Sequence, residues 1–161
     1  MKTFFLSTLQ ETQQIAQQLA QCSAPKDVIM LQGDLGAGKT EFARAFIREL
    51  THPEMTVPSP TFTLVEIYER TPGDIWHFDL YRLKSSTEIW DLGIEEAFAR
   101  GIILLEWPER LGKEFIFKNY LEVSLKLQGD NQTREIGLIP HGNWVSRLEK
   151  IHLDAFVSDV I

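Results

Sequence analysis

One stretch constrains this chain more than any other: Gly33-Asp34-Leu35-Gly36-Ala37-Gly38-Lys39-Thr40. It fits the spacing GxxxxGK[ST]. A short apolar run, Val28-Ile29-Met30-Leu31, precedes it, and Phe42, Phe46, Ile47 and Leu50 follow at helical spacing. The order strand, loop, helix is the context in which such a loop grips phosphate. Glycines let successive backbone N–H groups converge on phosphate oxygens with no Cβ in the way, and the helix N-terminus adds partial positive charge. In that arrangement Lys39 reaches the β- and γ-phosphates of a nucleotide, and Thr40 places its hydroxyl on Mg²⁺.

A second buried run, Ile102 to Leu105, ends at the acid Glu106. If it lies parallel to Val28–Leu31, both strands end on the same sheet edge, where open α/β proteins bind their ligands. Glu106 can then reach the same metal ion, and its loss is expected to weaken Mg-dependent hydrolysis more than nucleotide affinity. The expected fold is an α/β P-loop NTPase fold: a single domain over residues 1–161 with a mostly parallel central sheet, antiparallel hairpins and helices on both faces. A chain of 161 residues and 18.5 kDa is long enough for one complete core.

The remaining elements follow from periodicity. A short strand is expected at Thr3–Leu6. Thr8 and Glu11 then form a capping box for a helix whose apolar stripe is Leu9, Ile15, Ala16, Leu19 and Ala20. Leu64, Val65, Ile67 and Tyr68, the turn Thr71-Pro72-Gly73-Asp74 and the run Ile75–Tyr81 read as a hairpin. Its second arm puts Ile75, His77, Asp79 and Tyr81 on one face and Trp76, Phe78 and Leu80 on the other. Ser85 with Glu88 reads as a capping box for a helical stretch interrupted near Gly93 and closed by Gly101 as a C′ glycine. Leu121, Val123, Leu125 and Leu127 alternate with polar residues before a Gly129-Asp130-Asn131 turn and a return strand over Arg134–Ile139. Asn143 can cap a short helix carrying Val145, Leu148 and Ile151; the segment 153–161 stays open as strand, helix or docked tail.

With 43% apolar and 24% charged residues, 10 Gly and 7 Pro, the chain is not collagen-like, low-complexity or wholly disordered. A net charge of −7 repels phosphate backbones and anionic lipid heads, so tight direct binding to nucleic acid starts at a disadvantage. The single cysteine, Cys22, can form no internal disulfide and reads as a small buried residue at a helix end. Phe4-Phe5-Leu6 is too short for a secretory signal, and no apolar run approaches a membrane span. A cytoplasmic protein without membrane association is expected.

Several polar residues have two readings. Asp79 and His77, two apart on one strand face, could line the site or be ordinary hydrogen-bonded strand residues. Ser59-Pro60-Thr61-Phe62 is a rigid turn whose hydroxyls could serve magnesium or γ-phosphate in a mobile switch. Trp107 reads as a packing aromatic. The acidic run Glu88, Asp91, Glu95, Glu96 is either a solvated helix face or a partner surface.

Taken in order, Gly33–Thr40, Ser59-Pro60-Thr61-Phe62-Thr63, His77-Phe78-Asp79-Leu80-Tyr81-Arg82 and Glu106-Trp107-Pro108 resemble the TsaE (YjeE) family of small bacterial P-loop ATPases, over residues from about 6 to 140. The resemblance implies ATP on Gly33, Asp34, Leu35, Gly36, Ala37, Gly38, Lys39 and Thr40, and Mg²⁺ on Thr40 and Glu106. It further implies a switch at Ser59–Thr61, an active-site role for Asp79 beside Lys39 and Glu106, a nucleotide contact from Arg134, and an N-terminal stretch, Leu9 to Thr12, near the adenine. Thr133-Arg134 stands where the family commonly has Gly-Arg. Such proteins assist TsaD and TsaB in forming the N6-threonylcarbamoyl group on adenosine 37 of tRNA. Contact with tRNA is then indirect, and DNA is not involved. An acidic ATPase can serve an RNA-modifying assembly in this way through protein contacts.

A small-molecule kinase passing the γ-phosphate to a hydroxyl uses the same loop. However, residues 108–118 carry only Arg110, Lys113 and Lys118, which is little for an Arg-rich lid, and no second carboxylate cluster marks an acceptor site. A guanine-reading Asn-Lys-x-Asp string is absent. A nucleotide-dependent scaffold with negligible turnover differs from an ATPase only in rate. Either Asp79 or Glu106 could activate the attacking water.

Overall fold

In the computed structural model, which describes residues 1–129 and 132–153, a single seven-stranded sheet carries the whole arrangement. The elements are β1 (Lys2–Leu6), α1 (Leu9–Gln21), β2 (Val28–Gln32), α2 (Lys39–Leu50), β3 (Val65–Tyr68), β4 (Ile75–Asp79), α3 (Glu88–Asp91), α4 (Ile94–Arg100), β5 (Ile102–Glu106), a 3-10 turn at Pro108–Arg110, β6 (Tyr120–Leu127), β7 (Arg134–His141) and α5 (Trp144–Lys150). The strands lie in the order β1-β7-β6-β2-β5-β4-β3. The centre, β6-β2-β5-β4, is parallel; β7 pairs antiparallel with both β6 and β1, and β3 pairs antiparallel with β4.

The alternation of side chains splits the core into two layers. Ile29 and Leu31 of β2, Ile75 of β4, Ile102 and Leu104 of β5 and Leu121, Val123 and Leu125 of β6 pack beneath α1, α2 and α5. Val28, Trp76, Phe78, Ile103 and Leu105 face the opposite layer, under α3 and α4. Helices therefore cover both faces, as a parallel sheet requires. For the same reason every residue of β4 and β5 is buried: the hairpin read in β4 has its predicted facing, yet both of its faces are covered. No helix among the described residues is long and apolar enough to cross a membrane.

Local signals were not all used as their spacing suggests. The Thr8–Glu11 capping box forms, with Thr8 Oγ1 accepting from the Glu11 amide at 3.2 Å. Ser85–Glu88 does not: Thr87 is the cap, its backbone already helical, and α3 begins without a side-chain bond. Gly101 is extended rather than left-handed; it is small because a Cβ there would lie 2.7 Å from the Trp76 ring and 2.8 Å from the Asp74 carbonyl. Asn143 precedes α5 without capping it, and the helix is anchored by buried Trp144 and Leu148 while Val145 faces solvent. Leu9 likewise sits outside the buried stripe of α1, and Cys22, at that helix's end, is only half-buried. Asp130 and Asn131 of the second hairpin's turn and residues 154–161 of the tail lie outside the described residues.

Candidate functional site

The parallel register places the carboxyl ends of β2, β5 and β4 side by side. Leu31 pairs with Glu106, and Glu106 pairs with Asp79. The loop after β2 therefore rises beside two acids, and a cavity of about 260 Å³ opens between them. It is lined by Gly36, Gly38, Lys39 and Thr40 on one side and by Thr61, Asp79, Glu106, Trp107 and Arg134 on the other. The sheet, parallel through β2, β5 and β4 and antiparallel at β7, thus gathers residues as far apart in sequence as Gly36 and Arg134.

The loop is built on backbone that only glycine tolerates. Gly33 has φ +144°, and a Cβ there would lie 2.3 Å from the Leu125 carbonyl of β6, so this glycine lets the loop leave the sheet between neighbouring strands. Gly38, at φ +108°, opens α2 with no side-chain cap, which leaves the first amides of that helix directed at the cavity. The Lys39 ammonium is folded back: it donates to the carbonyls of Gly33 and Asp34, the latter at 2.9 Å, and lies 4.1 Å from the centroid of the Trp107 ring. Burial pulls its pKa down, and Glu106 and Asp79 oppose that pull. A lysine so held keeps its ammonium against carbonyl oxygens and an aromatic face on the wall of the cavity.

The Thr40 hydroxyl donates to Glu106 Oε1 at 3.0 Å. Glu106 is 2% exposed, and the same Oε1 faces His77 Nε2 at 3.3 Å. Burial alone pushes the Glu106 carboxyl up, but the hydrogen bonds from His77, Thr40 and Asp79 outweigh it and hold the group below the usual carboxylate range. Asp79 moves the other way: burial first, then the negative Glu106, raises it, against bonds from the Tyr81 amide at 3.0 Å and the Thr61 hydroxyl at 3.1 Å. The two acids have opposite tendencies although they are register partners. Thr61 in turn shares a 2.7 Å hydroxyl contact with Ser59, so the 59–61 turn is latched onto Asp79.

Arg134 opens β7 and donates from Nε to the Ala37 carbonyl at 3.2 Å, reaching the loop from two strands away across β6. Its register partner Leu6 precedes α1, which brings the start of that helix alongside. Leu9 and Thr12 do not line the cavity. Leu9 is exposed on the first turn, and Thr12 is fully buried with its hydroxyl unpaired. Ser59, Asp34 and Leu35 sit at the exposed rim, and Ala37 is buried under the loop. One contribution goes beyond what the sequence implies. Trp107, with φ +59°, turns its ring under Lys39 and against Tyr81 rather than simply into the core. His77, which alternation leaves open between lining the site and being an ordinary hydrogen-bonded strand residue, meets Glu106 from the buried face of the sheet.

Donor chemistry at the site suits a magnesium nucleotide. Among the described residues no three His, Cys, Asp or Glu side chains gather to hold a metal unaided, whereas one hydroxyl and one carboxylate at an open concavity of amides match an ion that takes its other ligands from phosphate and water.

Known proteins resemble this chain over most of its length. A family model described as "Threonylcarbamoyl adenosine biosynthesis protein TsaE" matches residues 6–136. The tRNA threonylcarbamoyladenosine biosynthesis protein TsaE of Rickettsia prowazekii is 37% identical over 156 residues, 97% of this chain and 98% of the relative. The TsaE protein of Bacillus subtilis is 38% identical over 135 residues, 83% of this chain and 82% of the relative. The crystal structure of Bacillus subtilis YdiB aligns with a TM-score of 0.71 and 30% identity, over 96% of this chain and 94% of that one. With a family model matching residues 6–136 and a relative 37% identical over 97% of the chain, this protein belongs to the TsaE family.

Proposed function

We propose that this protein is a Mg-dependent ATPase of the machinery that forms N6-threonylcarbamoyladenosine at position 37 of tRNA, working in the cytoplasm with TsaB and TsaD. The observation that carries the chemistry is the 3.0 Å bond between the Thr40 hydroxyl and Glu106, which joins the end of the loop to the end of β5 where a metal ion would sit.

In this reading the amides of Gly36–Thr40 and the positive end of α2 surround the phosphates. Lys39 exchanges its two carbonyl partners for phosphate oxygens, a charge-assisted and therefore stronger pairing. Thr40 and Glu106 hold Mg²⁺, which when bound neutralises charge developing on the transferred phosphoryl oxygens. Asp79 accepts hydrogen bonds at the cavity edge and is placed to orient the attacking water, with Thr61 releasing it as the 59–61 turn moves. Arg134 presents a second cation to the phosphates from β7. With a net charge of −7, the chain suits contact with tRNA through its partners rather than directly.

Phosphate release from ATP, measured alone, with hydroxyl acceptors and with TsaB and TsaD, tests the reading. Slow basal release stimulated by the two proteins is expected. Phosphorylation of an acceptor would instead make the protein a kinase, and binding without turnover in any mixture would make it a scaffold.

A further inference from the structure

His77 is fully buried, yet it is polar and lies on the strand that ends at Asp79. Its register partner is Leu104, two residues before Glu106 on β5, so the imidazole sits diagonally beneath the Glu106 carboxylate on the same face of the sheet. Nε2 is 3.3 Å from Glu106 Oε1, the oxygen that also accepts from Thr40. The other ring nitrogen, Nδ1, is buried with no hydrogen-bond partner.

These contacts select one tautomer. A proton on Nδ1 would be a buried donor with nothing to receive it, while a bare Nε2 would set its lone pair against a carboxylate oxygen. With the proton on Nε2, the ring donates to Oε1, and the only unmet group is an acceptor, the lesser cost.

Resting on the ATPase reading above, we propose that His77 is a positioning residue for the metal site: its Nε2–H fixes Glu106 in the rotamer that faces Thr40, so that the carboxylate meets the nucleotide-bound cation without first having to be ordered. Buried ligands to a metal ion commonly depend on such an outer hydrogen bond, whose loss costs roughly 10–100-fold in metal affinity. The carboxylate has no other fixed side-chain donor from β4 except Asp79, itself an acid.

The test reads metal affinity rather than turnover. Mn²⁺ binding is followed by electron paramagnetic resonance in the presence of a non-hydrolysable ATP analogue. Affinity for the same analogue in EDTA is measured separately. Wild type is compared with His77→Leu, His77→Gln and Glu106→Gln, together with the double variant His77→Leu/Glu106→Gln. His77→Leu is expected to weaken Mn²⁺ binding roughly tenfold or more while metal-free analogue binding changes less than about twofold. His77→Gln, whose amide nitrogen can take the place of Nε2, should recover most of the loss. In the Glu106→Gln background, His77→Leu should add almost nothing, because its effect runs through that carboxylate.

Unchanged Mn²⁺ affinity in folded His77→Leu, or losses that simply add in the double variant, would overturn the proposal and leave the ATPase reading standing. If His77→Leu does not fold, the comparison of His77→Gln with His77→Asn, whose shorter amide falls short of Oε1, decides: equal affinities overturn it. A wild-type protein that holds no Mn²⁺ with the analogue overturns the ATPase reading and this inference together.

Discussion

Two carboxylates one strand apart, Asp79 and Glu106, behave differently because their neighbours differ. Glu106 receives donors from His77 and Thr40, whereas Asp79 is buried beside a negative charge. The consequences for stability have opposite signs. A carboxyl raised by folding stabilises the native chain at low pH and loses that contribution as pH rises through its folded pKa. Asp79→Asn should therefore stabilise the nucleotide-free protein at pH 7 to 8, by about 2–4 °C in Tm for each kcal/mol relieved, with the gain vanishing toward pH 4. Thermal melts across that range check it. Glu106 is held low, so its contribution is present at neutral pH and is lost as pH falls through its folded pKa; Glu106→Gln should lower Tm at pH 7. Asp79→Asn should also cut partner-stimulated turnover roughly a hundredfold or more if it orients the water, a trade of stability against activity visible in one variant. Of these residues, Lys39, Thr40 and Glu106 were legible in the sequence because their motif states their geometry. Asp79 and His77 were not settled there, since alternation gives a face but not a neighbour, and their neighbour is supplied by a strand more than twenty residues away.

At the scale of elements, the strand, loop and helix around Gly33–Thr40 formed as read because each local preference agrees with the others. The caps that do not form as spacing suggests show what decides elsewhere. Gly101 is required by the Trp76 ring and the Asp74 carbonyl, not by a left-handed turn, and such crowding is invisible without the packed partner. Gly101→Ala should accordingly destabilise by about 1–3 kcal/mol or more, as overpacking does, measured by urea denaturation. α5 gives a second case: Arg147 pairs with buried Asp27 and also donates to the Cys22 carbonyl, tying the helix to the turn between α1 and β2. Arg147 is partly exposed, so its removal should cost less than the loss of a fully buried pair, about 1–3 kcal/mol. Charge reversal of exposed Glu95 or Glu96, both in the first turn of α4, should cost about 0.3–1 kcal/mol by opposing the helix dipole, as thermal melts would show.

For the whole molecule, the α/β class and the parallel pairing of β2 with β5 could be argued from apolar runs and the position of Glu106. The insertion of β6 beside β2 could not, because alternation in Leu121–Leu127 reads as a free-standing hairpin. That placement matters to the site. It brings β7, and with it Arg134, back to the loop, and it puts the Leu125 carbonyl against Gly33. Arg134→Ala should weaken nucleotide binding by about tenfold, the effect of a single charge-assisted contact, with little change in fold, as fluorescence titration and circular dichroism would show. Gly33→Ala should disturb both the loop and the β2–β6 seam, lowering Tm as well as affinity.

The central claim is that the concavity between the Gly33–Thr40 loop and Glu106 holds ATP through magnesium. Isothermal titration of ATP into wild type, Lys39→Ala and Glu106→Gln, each with Mg²⁺ and with EDTA, tests it most directly. The account predicts saturable binding to wild type, its loss in Lys39→Ala, and in Glu106→Gln a nucleotide affinity that no longer responds to Mg²⁺. Binding that persists undiminished in Lys39→Ala, or no uptake of ATP by wild type, would contradict it.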